Sequence, residues 1–222
     1  MKYWSVQKRS VIDKLSKKGG YFPNFELSDT IIKIPKINDL YDFMLDTFNR
    51  INLKECEGLI FALCKLENGV ISEISDVTEF SKIIHEKHNV IGSMWNTITE
   101  GDTVLIELEY PDIFNPLYID INDFQYLMPP IIPLPPYTNN SMLDIIQKLQ
   151  VGMIPTPCLP SGVAQVHLPS IQSDTFVTYY EIDDINSGKF EEECVSEVSQ
   201  PYPITNDISV YDLFCDDGDL PF

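Results

Sequence analysis

Residues 2–20, Lys2-Tyr3-Trp4-Ser5-Val6-Gln7-Lys8-Arg9-Ser10-Val11-Ile12-Asp13-Lys14-Leu15-Ser16-Lys17-Lys18-Gly19-Gly20, carry two hydrophobic periods back to back. Residues 2–7 read as a short strand, whereas Val11, Ile12 and Leu15 share one face of a helix over 9–18 that Gly19-Gly20 stops. The chain therefore opens βα, and both periods recur downstream. Asn38 can cap a second helix in which Leu40, Phe43, Met44 and Phe48 return at helical spacing. The run GLIFALCKL at 58–66 is apolar enough for a buried strand, and Asn68-Gly69 supplies a tight turn after it. Asp76 and Glu79 have capping-box spacing ahead of Phe80, Ile83 and Ile84, which predicts a third helix to about His88. VLIELE at 104–109 alternates like a half-buried strand, and 117–121 reads as its neighbour after a turn at Asn115-Pro116. The expected fold is α+β, with a small mixed sheet and about three helices.

That pattern gives out near residue 129, where the chain reads Pro-Pro-Ile-Ile-Pro-Leu-Pro-Pro. Of 16 prolines, 14 lie from Pro111 onward, and proline removes backbone donors and favours extended polyproline II. The reading is a body over 1–128 and a proline-rich spacer over 129–171. The spacer would hold a short helix capped by Ser141 and Asp144, and an acidic, partly ordered arm would follow over 172–222.

Charge supports the same division. The 222 residues carry a formal charge of −19, yet residues 1–100 hold 13 Lys/Arg against 14 Asp/Glu, while residues 101–222 hold only Lys148 and Lys189 against 20 acids. Within the first 36 residues eight cations face three acids, so a locally basic body stands beside an acidic second half. Five cysteines, Cys56, Cys64, Cys158, Cys194 and Cys215, are odd in number and include no C-x-x-C. This argues for a reducing compartment rather than a disulfide framework or zinc site. No signal-peptide run or 18-residue apolar stretch occurs, and the expected location is cytoplasmic, in a bacterial or phage-infected bacterial cell.

Two resemblances cover different ends. The opening Met1-Lys2-Tyr3-Trp4-Ser5-Val6-Gln7 is similar to that of an uncharacterised bacterial and phage family of unknown function. The likeness continues through Gly20-Tyr21-Phe22, Leu40-Tyr41-Asp42-Phe43 and residues 104–112 into 117–124. The chain departs from the family at GLIFALCKL, where the family is Trp-rich, and the resemblance implies no activity. The last seven residues, Asp216-Asp217-Gly218-Asp219-Leu220-Pro221-Phe222, resemble the partner-docking tip of bacterial single-stranded-DNA-binding proteins. Asp216, Asp217 and Asp219 would steer such a tip to a basic rim, and Leu220 and Pro221 would lead into Phe222, whose ring and carboxylate fit an apolar pocket flanked by Arg. The implied partners are DNA-processing proteins.

Aromatics among cations are what single-stranded nucleic acid binding uses, so Tyr3, Trp4, Lys8, Arg9, Lys17, Lys18 and Tyr21 are candidate nucleic-acid contacts, with Phe22 and Phe25 nearby. Against this, about half the rings of a strand must face the core. His85 and His88 lack a third ligand at usual spacing, His167 stands alone in a proline-flanked loop as a general base without a nucleophile, and Glu107 and Glu109 fit the polar face of a sheet. No metal or other cofactor is expected, nor a membrane partner. The preferred reading is a non-enzymatic binding protein of DNA replication, recombination or phage takeover. A nucleic-acid mimic that inhibits a DNA-binding enzyme, and a nucleotide-using transferase, stay open as alternatives.

Overall fold

β1 (Lys2–Lys8) runs through the middle of an antiparallel sheet. A computed structural model describes residues 1–27, 35–111, 115–127 and 159–190, with the backbone alone for 35–40 and 125–127. Along its whole length β1 pairs with β5 (Thr103–Glu109), from Lys2 opposite Glu109 to Lys8 opposite Thr103, and on its other side Trp4 lies opposite Leu63 of β3 (Ile60–Glu67). β6 (Leu117–Asp120), β7 (Val163–Leu168) and β9 (Phe176–Glu181) complete the order β6-β7-β3-β1-β5-β9, and β4 (Val70–Ser72) hangs on β3. A separate two-residue pair joins β2 (Gly20–Tyr21) to β8 (Ile171–Gln172).

Every pair is antiparallel, so the fold is α+β as expected, but the described sheet is not mixed. The β3–β4 hairpin turns at Asn68 and Gly69, with φ of 53° and 78°, the left-handed pair that a two-residue hairpin turn needs. The strand at 117–120 forms, yet it is an edge strand whose partner is β7, whereas the second partner of β5 is β9.

Alternation sorts the side chains of the sheet into two cores. On one face Tyr3, Ile60, Ala62, Cys64, Ile106, Ala164 and Val166 pack with Val11 and Leu15 of α1 (Ser10–Lys18). On the other, Trp4, Leu63, Leu105 and Val163 meet Phe80 and Ile84 of α3 (Val77–Glu86) and Ile91 and Trp95 of α4 (His88–Ile98). Ile182 and Ile185 of α6 (Ile182–Asn186) join the same cluster. A neighbouring cluster gathers Tyr41, Phe43, Met44 and Phe48 of α2 (Pro35–Asn52) with Leu117, Ile119 and Phe124, the last on α5 (Ile121–Leu127).

Helix ends follow their local chemistry. Gly19 takes φ 72° and stops α1 with its N–H on the Leu15 carbonyl. Asp76 caps α3 by accepting from the Glu79 N–H at 2.9 Å, while Glu79 reaches back to the N–H of Ser75, one residue before the expected box partner. α2 starts at Pro35, so Asn38 lies inside it rather than at its cap, and a further long helix, α4, follows α3 where the periodicity predicts none.

The boundary at 128 needs correction. Residues 163–168, assigned to the spacer, are fully buried between β6 and β3, and residues 176–181, assigned to the arm, form the strand beside β5. Prolines and acids around these strands masked them, but Val163, Val166, Leu168, Ile171 and Ile185 are all at most 1% exposed. The expected helix after Ser141 and the docking tip, Asp216 to Phe222, lie outside the described residues.

Candidate functional site

The candidate nucleic-acid contacts separate into three groups. Tyr3 and Trp4 are core residues at 3% and 0% exposure, which corrects the expectation that they face a ligand. As the central strand, β1 has both faces covered, and the Trp4 indole stacks on Phe80 at 5.2 Å while its Nε1–H donates to the Ile74 carbonyl at 2.9 Å. Arg9 is committed as well. Its Nε donates to Asp102 Oδ1 at 2.8 Å, and its two terminal nitrogens fork onto the Glu181 carboxylate at 3.0 and 2.5 Å. That clamp ties the start of α1 to β9 rather than offering a guanidinium to phosphate.

Lys8, Lys17 and Lys18 remain at the surface, and Tyr21 is half-buried against the core. Lys17 and Lys18 fill the last turn of α1, where cations suit the helix dipole. Lys8 and Tyr21 are brought together with Lys14 and Phe22 around a groove of about 490 Å³ between α1, the end of β1 and residues 21–27, floored by Leu59, Ile60 and Phe61. Lys14 Nζ lies 5.0 Å from the Tyr21 ring centroid, a cation–π contact, and burial raises the Tyr21 phenol above its ordinary pKa. Phe22 stands out at 68% exposure and Leu27 at 79%. Lys14 and Phe22 belong to this constellation although neither is a primary candidate on sequence. The exposed face of α1, opposite Val11 and Leu15, is the sequence signal that could have placed Lys14.

The second half of the chain builds this groove. Tyr21 pairs with Ile171 of β8, and Ser173 donates both its N–H and its hydroxyl to the Gly19 carbonyl at 3.1 and 3.0 Å. On the other side the segment is fixed by close backbone approach. A Cβ at Gly58 would lie 2.9 Å from the Pro23 carbonyl carbon, and the Phe25 N–H donates to the Glu57 carbonyl at 2.9 Å. A second cavity, about 410 Å³, lies past Phe22 and Pro23 and is lined by Lys54, Glu55, Cys56 and Ser170 among others. Burial pushes the Cys56 thiol up, with Lys54 only partly offsetting it, so the thiolate is disfavoured.

The remaining candidates resolve into structural roles. Glu107 is not on a solvated face: at 5% exposure it takes an ion pair from Lys2 Nζ at 2.8 Å and a hydrogen bond from the Tyr180 hydroxyl at 3.2 Å. His85 and His88 flank the α3–α4 junction, and no group of three or more His, Cys, Asp or Glu able to hold a metal ion occurs among the described residues. His167 lies within β7, not in a loop, and is 0% exposed. Its Nδ1–H donates to the Leu117 carbonyl at 3.0 Å, and its Nε2 accepts from the Gln165 amide at 3.3 Å, which leaves neither nitrogen for a general base. Burial pushes its pKa down to about 3 from 6.5 despite the Leu117 hydrogen bond.

A histidine held neutral carries a pH signature. Because the folded pKa is depressed, its contribution is fully present above pH 6.5 and is lost as pH falls from there toward 3, the unfolded chain binding the extra proton. Urea unfolding of a His167→Asn variant is expected to show a pH slope shallower by up to about 1.4 kcal/mol per unit between about pH 6 and 5 than the parent protein. Identical slopes would mean that His167 titrates normally in the folded protein.

Comparison with protein-family models, curated proteins and solved structures returned no match to this chain. No helix among the described residues is long and apolar enough to cross a membrane.

Proposed function

We propose that this chain is a non-enzymatic binding protein of DNA replication, recombination or phage takeover that docks on DNA-processing proteins through the acidic segment Asp216–Phe222, in the cytoplasm of a bacterial or phage-infected cell. The observation that carries the reading is that segment itself, three aspartates within four residues followed by Leu220, Pro221 and Phe222, in a half of the chain with 20 acids and two lysines. Carboxylates attract a basic rim at long range, proline limits the freedom lost on docking, and one aromatic ring supplies the buried anchor.

The anchor and the charges have separable effects. Phe222→Ala is expected to weaken capture of the partner by about 2 kcal/mol or more, roughly thirtyfold, since a truncated hot-spot ring costs that much. Changing Asp216, Asp217 and Asp219 to Asn acts mainly on the association rate, and the effect fades as salt screens the charges. A synthetic peptide of residues 214–222 should displace the proteins that the full chain captures from a lysate. Failure to compete at about hundredfold excess counts against the reading. Capture that ignores Phe222 but falls with acids spread over residues 101–222 favours the nucleic-acid-mimic alternative instead.

A further inference from the structure

We infer that the groove between α1 and residues 21–27 binds single-stranded nucleic acid, with Phe22 stacking on a base and Lys8 and Lys14 meeting phosphates. Among the described residues its walls include Lys8, Lys14, Tyr21, Phe22 and Leu27 and no carboxylate, the Glu57 carboxylate beyond the wall being held by the Asn24 amide at 2.8 Å, in a chain whose formal charge is −19. Local sign outweighs net charge here, because the Debye length is about 8 Å at physiological salt and distant acids are screened. Lys17 and Lys18 continue the cationic line along the last turn of α1.

The aromatic side is preorganised. Phe22 leaves 68% of its surface exposed, yet its ring rests on Gly20, where a Cβ would come within 3.0 Å of the ring carbon Cε2. The backbone on either side is pinned, by the β2–β8 pair before it and by the Phe25 N–H to Glu57 carbonyl bond after it. A large ring held in water by a fixed backbone loses little conformational freedom on binding, and stacking needs only an open π-face. A groove of about 490 Å³ falls in the range of roughly 300–1,000 Å³ that takes small-molecule ligands, enough for a nucleotide unit. An exposed stacking ring beside lysines is the chemistry of sequence-tolerant single-strand binding.

This inference does not depend on the docking segment, and either can fail alone. The test is fluorescence anisotropy of a labelled oligothymidylate titrated with the full chain at low salt. Phe22→Ala is expected to weaken binding by roughly five- to hundredfold, the worth of one stacked base, with an unchanged melting curve because the ring is exposed. The double change Lys8→Gln and Lys14→Gln should lower the slope of log affinity against log salt by about 0.7 per lysine. Weaker binding of both kinds supports the inference. No binding by the full chain or by its Asp216→Asn, Asp217→Asn, Asp219→Asn variant overturns it, as does binding indifferent to Phe22 and both lysines. If the oligonucleotide fails while a peptide of residues 214–222 binds in a Phe22-dependent way, the groove belongs to the chain's own acidic segment and the inference is likewise overturned.

Discussion

A chain cut back to residues 1–128 is expected not to fold. That fragment retains the βα opening and most of the segments with a clear period, but it lacks β7, which is the partner of β6 and one of the neighbours of β3. Cutting at 128 leaves β6 with no partner among the described strands and strips the outer cover from β5. Six buried aliphatic side chains leave with the missing part: Val163, Val166, Leu168, Ile171, Ile182 and Ile185. At about 1.5–3 kcal/mol for each fully buried side chain, the loss matches or exceeds the roughly 5–15 kcal/mol of total stability that a domain possesses. Hydrogen bonds go with them, since the Leu117 carbonyl is deprived of the His167 ring and the Tyr110 hydroxyl of the Ser170 carbonyl. Circular dichroism and a urea titration decide the matter: residues 1–190 should unfold cooperatively, and residues 1–128 should show no transition. A cooperative transition in the shorter fragment would place the domain boundary back at 128.

Replacing Trp4 with Ala is expected to cost about 3–5 kcal/mol, the usual effect of removing a fully buried aromatic. Three effects add. The 0% exposed indole leaves a cavity beneath Phe80, 5.2 Å away centroid to centroid; the Tyr180 ring at 5.9 Å loses one of its ring neighbours; and the Ile74 carbonyl is left without its donor. An unpaired buried carbonyl costs about 1–3 kcal/mol by itself, so Trp4→Phe, which restores a ring but not the N–H, should recover part of the loss and not all of it. Equilibrium urea unfolding measures both variants. A cost below about 1 kcal/mol for Trp4→Ala, in the range of ordinary surface substitutions, would falsify the buried placement and return Trp4 to the possible ligand contacts.

What is settled within one turn or one short run of chain was legible in the order of residues. α1 and its stop at Gly19, the Asn68-Gly69 hairpin and the Asp76 cap all rest on interactions between residues a few positions apart, so composition and spacing encode them directly. The same is true of the cationic face of α1 and of the acidic character of the second half, which are properties of the residues and not of their neighbours. Which strands pair emerged only from the folded arrangement. VAQVHL at 163–168 shows no alternation because it is buried on both faces, and its Gln165 and His167 look unsuited to a core until Leu117, 50 residues earlier, supplies the partner. Trp4 could equally have faced solvent on an edge strand, and β1 becomes central because β3 and β5 close on both its sides. The groove followed the same logic. Lys8, Lys14 and Phe22 are visible as letters, but the ring stands clear of the core because β8 and Ser173, about 150 residues away, hold Gly19 to Tyr21 in place. Pairing across such separations is set by hydrogen-bond registers and shared burial, which no local period records.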